Sequence, residues 1–96
     1  MLITSNQVET VVQAIYRTEG SSHTTHPYGI MQTYKHTTPH DACWNTIDHF
    51  IRRHKIVKID KAFIYLLADQ YCPPQDDPIG NKNWKYNMVM ILNLQQ

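Results

Sequence analysis

Val8, Val11, Val12, Ile15 and Tyr16 stand at i, i+3, i+4, i+7 and i+8. A helix turns that spacing into one apolar stripe. Such a stripe is stable only when other elements cover it. With 96 residues the chain has material for a single domain over 1–96. A domain of this size buries only about two thirds of its unfolded surface, so each remaining segment has to help cover the stripe.

The rest of the chain is punctuated as helices. Ser5 is a suitable N-cap for a first helix over about 6–19, which Gly20 would end. Thr38 caps a second helix, with Pro39 at its first position and Asp41 in its first turn. Cys43, Ile47, Phe50, Ile51 and His54 share one face of it. Asp60 caps a third helix through Phe63, Leu66, Leu67 and Tyr71, and Pro73 and Pro74 stop it. "PPQDDPIGNKN" reads as a loop. Asn83 then caps a last helix carrying Trp84, Met88, Ile91 and Leu92. Residues 20–38 are rich in Gly, Ser, Thr, His and Pro and hold at most a short β-hairpin. The expected architecture is mainly α, with about four helices and one irregular segment after the first.

Charge and hydropathy exclude some functions. A net charge of +1 lacks the basic stripe of a nucleic-acid binder. Apolar runs such as "AFIYLLA" fall far short of the roughly 20 residues of a membrane span. The opening "MLITSNQVET" has no basic stretch followed by an apolar core, so no secretory signal is read there. Cys43 and Cys72 allow two arrangements. They are either buried thiols or one bridge contributing about 3–4 kcal/mol through loop closure.

Glu19 breaks the pattern. It lies four residues after Ile15 and continues the apolar stripe, whereas Glu9 lies off the stripe and is expected in solvent. A carboxylate in apolar surroundings is costly unless it is paired or protonated. Burial favours the protonated form, which suits a general acid near neutral pH. The plainer alternative has Glu19 reaching past the helix end to solvent or to a Lys or Arg. The residues C-terminal to it have the chemistry of a binding groove. Gly29 permits close backbone approach, Gln32 offers a donor and an acceptor, and Tyr28 and Tyr34 offer flat faces with hydroxyls that suit sugar rings.

A resemblance covers about residues 14–92. "AIYRTEG", "PYGIM", "CWNTI" and "YCPPQDDPIGNKNWKYNM", in this order, are similar to compact lysozyme-like lytic transglycosylase domains of phages and bacteria. "EGSS" stands here where such domains have "EGG" or "ESGG". The resemblance implies an α+β lysozyme-like fold with helices around a cleft, and Glu19 as the catalytic acid/base. It implies that Gly29, Ile30, Met31 and Gln32 line the groove, where Tyr28 and Tyr34 are expected to offer their faces to the sugar. Tyr71 would face the site, Asn81, Asn83 and Trp84 would orient sugar or cap the last helix, and Cys43 and Cys72 would form a disulfide. The implied partner is the glycan strand of peptidoglycan, met by a monomer at the cell wall.

The carboxylate pattern selects between reactions. Hydrolases of this kind usually use two carboxylates. Residues 20–40 contain no Asp or Glu. Asp41, Asp48, Asp69, Asp76 and Asp77 fall on helices or in a loop expected away from the cleft. Lytic transglycosylation needs one acid and no cofactor, so it is the expected reaction. A lysozyme-type hydrolase and a non-catalytic peptidoglycan-binding protein on the same scaffold are the alternatives. His23-x-x-His26 and His36-x-x-x-His40 have ligand-like spacing, but no Cys or carboxylate cluster completes a set, so no metal is expected. Arg52, Arg53, Lys55, Lys58 and Lys61 are either solubility charges or an attraction for an anionic wall polymer.

Overall fold

The computed structural model describes residues 3–19, 28 and 37–94. Four helices run in order: α1 (Ser5–Thr18), α2 (Pro39–Arg53), α3 (Lys61–Tyr71) and α4 (Pro78–Ile91). There is no strand among the described residues, and no helix there is long and apolar enough to cross a membrane. The mainly α expectation holds. The hairpin placed within 20–38, and the stop at Gly20, lie outside the described residues.

Every one of these helix starts is fixed by a side chain that accepts an otherwise unpaired backbone N–H. For α1 the cap is Thr4, one residue before the expected Ser5. The Thr4 hydroxyl accepts from the Gln7 N–H at 3.2 Å, and the Gln7 side chain accepts from the Thr4 N–H at 2.8 Å. Two N–H groups are thus satisfied reciprocally, which Ser5 would not achieve. Thr38 and Asp60 cap α2 and α3 as expected. The start of α4 differs. Its cap is Asp77, which accepts from the Gly80 N–H at 2.9 Å, with Pro78 at the first position. The end of the supposed loop is therefore helix, and Asn83 lies inside it.

Two helix ends use the left-handed region. Lys55 (φ 54°) and Asn93 (φ 55°) follow α2 and α4. The next N–H groups, of Ile56 and Leu94, return to the carbonyls of Ile51 and Val89 at 3.0 Å each, closing a Schellman turn in both cases.

The stripe of α1 is covered as its spacing requires. Val8, Val11, Val12 and Ile15 are buried with Cys43, Ile47 and Phe50 of α2, Phe63, Ile64 and Leu67 of α3, and Trp84 and Met88 of α4. Each such side chain contributes about 1.5–3 kcal/mol on leaving water. Helix α1 packs on α2 and α4, and α3 packs on α4. Leu66 departs from expectation. It is 43% exposed, because α3 turns Ile64 and Ala68 inward beside Phe63 and Leu67.

Candidate functional site

The last turn of α1 presents Glu19. Its backbone N–H donates to the Ile15 carbonyl at 2.8 Å, so the residue is the C-cap of the helix and its Cα is held in place. The side chain is partly buried. Among the described residues it meets no cation at ion-pair distance. Its Oε2 accepts the indole N–H of Trp84 at 3.0 Å, between residues 65 positions apart.

Trp84 reaches this point because α4 begins early. With Asp77 as cap, Asn81, Trp84 and Met88 fall on one face and are buried. Asn81 anchors that face to the end of α3. Its Nδ2 donates to the Cys72 carbonyl at 2.8 Å and to Asp69 Oδ1 at 3.0 Å. The Ala68 carbonyl lies 3.4 Å away. Asp69 also meets Lys85 Nζ at 3.3 Å, and the Asn81 hydrogen bond, then Lys85, holds its carboxyl below the usual value.

Trp84 belongs to a longer chain of contacts. The Tyr71 ring stacks on it, with centroids 5.4 Å apart and planes at 23°. The Tyr71 hydroxyl meets Cys43 Sγ at 3.5 Å. Burial pushes the Cys43 thiol up to about 11 and raises the Tyr71 phenol as well. Neither ionises near neutrality, so Cys43 is not a nucleophile. Beside this chain the Thr18 hydroxyl donates to Met88 Sδ at 3.3 Å. Adjacent residues at the end of α1 thus tie to two turns of α4.

Glu19, Trp84, Tyr71 and Cys43 come from α1, α4, α3 and α2, and the fold links them in sequence. Other expected site residues fall elsewhere. Asn81 is a buried strut between α3 and α4, and Asn83 is exposed in the middle of α4, so neither caps that helix. Tyr28 packs on Tyr16 with centroids 4.8 Å apart and edge-on to His40 at 5.7 Å. Gly29, Ile30, Met31, Gln32 and Tyr34 lie outside the described residues. The disulfide implied for Cys43 and Cys72 is not formed, and both are free. Cys43 points into the core toward the Tyr71 hydroxyl, while Cys72 is the C-cap of α3 and only partly buried.

A second polar cluster has no counterpart among the sequence expectations. Glu9, expected in solvent, puts both carboxylate oxygens on His40 Nε2 at 2.9 and 3.0 Å. His40 Nδ1 faces Asp41 Oδ1 at 3.0 Å, and the Gln13 side chain donates to Glu9 at 2.8 Å. Asp41 and then Glu9 raise the imidazole above its ordinary value. Gln13, and more weakly His40, lower Glu9. The i, i+4 spacing of Glu9 and Gln13 is a visible signal, but the partner on α2 is not. Among the described residues no group of three His, Cys, Asp or Glu side chains could hold a metal ion. His23, His26 and His36 lie outside them.

The basic run is partly paired. Arg52 bonds Asp48 at 3.0 Å, Lys58 lies 3.8 Å from Asp60, and Lys61 sits over the Tyr65 ring at 5.7 Å. Comparison with protein families, curated proteins and solved structures gives no match for this chain.

Proposed function

We propose that the chain is a peptidoglycan lytic transglycosylase on a lysozyme-like scaffold, with Glu19 as its single acid/base. The observation that carries this reading is a carboxyl group at the end of a core helix, partly buried and held by an indole N–H. A carboxyl fixed at its backbone and at one oxygen is suited to moving a proton on its other oxygen.

In this reading Glu19 protonates the glycosidic oxygen between N-acetylmuramic acid and N-acetylglucosamine, and the β-1,4 bond breaks. The Glu19 carboxylate then takes the proton from the muramic acid C6 hydroxyl as that oxygen bonds to C1. The product carries a 1,6-anhydro ring, and the acid is regenerated without water. In this reading Gly29, Ile30, Met31, Gln32 and Tyr34 are the residues assigned to binding the glycan.

The engagement of six of the other seven carboxylates supports transglycosylation over hydrolysis. Asp60 and Asp77 cap helices. Glu9 and Asp41 flank His40, Asp48 pairs with Arg52, and Asp69 bonds Asn81. The remaining one, Asp76, is exposed in the turn before α4, so a hydrolase would need it, or one of the engaged groups, as the second carboxylate.

The test is digestion of purified peptidoglycan by the wild type and by Glu19→Gln, with fragments identified by mass spectrometry. Anhydro-ended fragments from the wild type alone are expected. Ordinary reducing ends would make the protein a hydrolase. No fragments from either protein would leave a wall-binding role.

A further inference from the structure

We propose that Trp84 is a positioning residue that divides the two oxygens of Glu19: its indole N–H fixes Oε2 as an acceptor, so the proton that is transferred resides on Oε1. This inference rests on the reading of Glu19 as the acid.

The indole nitrogen is a donor only. With the proton on Oε2 that oxygen would offer the indole only a weaker hydroxyl lone pair, whereas the carbonyl-type oxygen of a protonated carboxyl is the better acceptor. The 3.0 Å bond therefore favours the proton on Oε1. The bond is not easily given up. Trp84 is 6% exposed, and a buried N–H without an acceptor loses its full hydration. The ring is also held from several sides. Tyr71 stacks on one face and is itself held at its hydroxyl by Cys43. The Thr18–Met88 contact holds the α1 end against α4 one turn further on.

The bond therefore spans both protonation states, with different strengths. When Oε1 carries the proton, Oε2 is a neutral carbonyl-type acceptor. When the proton has left, Oε2 shares a full negative charge and the bond becomes charge-assisted, roughly twice as strong. The donor thus favours the moment at which Glu19 gives up its proton. It is in place beforehand and needs no reorganisation. The indole N–H makes no claim on the substrate, which distinguishes this role from the sugar contact expected of Trp84.

The experiment combines NMR with kinetics on the full chain. In 15N-labelled protein the Trp84 indole N–H, assigned by its disappearance in Trp84→Phe, is followed across pH in the wild type and in Glu19→Gln. It should move with pH in the wild type and stay still in Glu19→Gln. Trp84→Phe keeps a buried ring and loses the donor. Its kcat for release of anhydro-muropeptides should fall roughly 10- to 100-fold, the worth of a hydrogen bond to a charged group. KM should be little changed, a split between kcat and KM that a mere loss of packing would not give. An indole signal that behaves identically in the wild type and Glu19→Gln would overturn the hydrogen bond, whether or not Trp84→Phe folds. A folded Trp84→Phe with wild-type kcat would overturn the positioning role. Absence of fragments from the wild type would sink the enzyme reading and the catalytic role with it, while the NMR arm still decides the bond.

Discussion

Glu9 and Glu19 lie on the same helix and have opposite surroundings. Glu9 meets a histidine and an amide in a shell where its side chain is 40% exposed and that of His40 34%. Glu19 meets a neutral indole N–H and, behind it, a stack that runs into the core. The first carboxylate is satisfied by an ionisable partner and several bonds, which fits a tie between α1 and α2. The second is held on one oxygen by a group that cannot take or give a proton under ordinary conditions. Two acidic residues on one helix thus acquire different capacities from what packs against them.

The sharpest way to break this contrast is to neutralise each carboxylate in turn. Glu19→Gln should cost about 10²–10⁴-fold in glycan cleavage, the range for losing a general acid, whereas Glu9→Gln should keep wild-type turnover. Equal losses measured by muropeptide release would show that the two regions do not differ in role. Next in size is Ile15→Ala. Ile15 has no exposed surface and lies one turn before Glu19, so its truncation should cost about 2–5 kcal/mol in denaturant unfolding. It should weaken both regions together, since both hang on the burial of α1.

A smaller effect should separate them by pH. His40 has a raised folded-state value, so its contribution is complete below the ordinary imidazole value of 6.5 and is lost as pH rises through the raised one. Glu9 is lowered, so its contribution is complete above 4.5 and is lost as pH falls through the lowered value. The tie is therefore strongest between about pH 5 and 6. His40→Ala should cost about 0.2–1 kcal/mol there, given the exposure of both partners, and less at pH 9. A Tm difference between wild type and variant that does not change with pH would refute the ion pair. The smallest effect belongs to Cys72→Ser, which should stay within about 0.5 kcal/mol of wild type, with or without reductant. A Tm that drops on adding reductant would instead reveal a bridge.

The features legible in the chain were those that depend on neighbours in sequence. Thr38 with Pro39, and Asp60, announced their helices because capping is settled within four residues. The α1 stripe was legible because its period is local. The start of α4 was not. Asp77–Pro78 repeats the cap-and-proline pattern of Thr38–Pro39, but it sits in a Pro-, Asp- and Gly-rich run, Gly80 is a poor helix former, and Asn83 offered a plausible competing cap. The early turn is held by Asp77 and by the bonds of Asn81 to the end of α3, and such tertiary support outweighs propensity. For the same reason Trp84 could be named as a site residue but not given its partner. Nothing near position 84 says that its indole N–H will find residue 19. The apolar stripe did single out Glu19, because a carboxylate there contradicts its surroundings. Glu9, off the stripe, gave no such signal, and its histidine lies on another helix.

The link between Glu19 and Trp84 joins residues 65 positions apart. Closing so long a loop is entropically costly until the intervening helices have packed. A ribosome that has made α1, α2 and α3 has therefore made a glutamate that still lacks its indole partner. The arrangement exists only after α4 has emerged and docked. For a protein proposed to cut cell walls, a chain whose α4 has not yet docked would carry its acid without the indole donor proposed to position it.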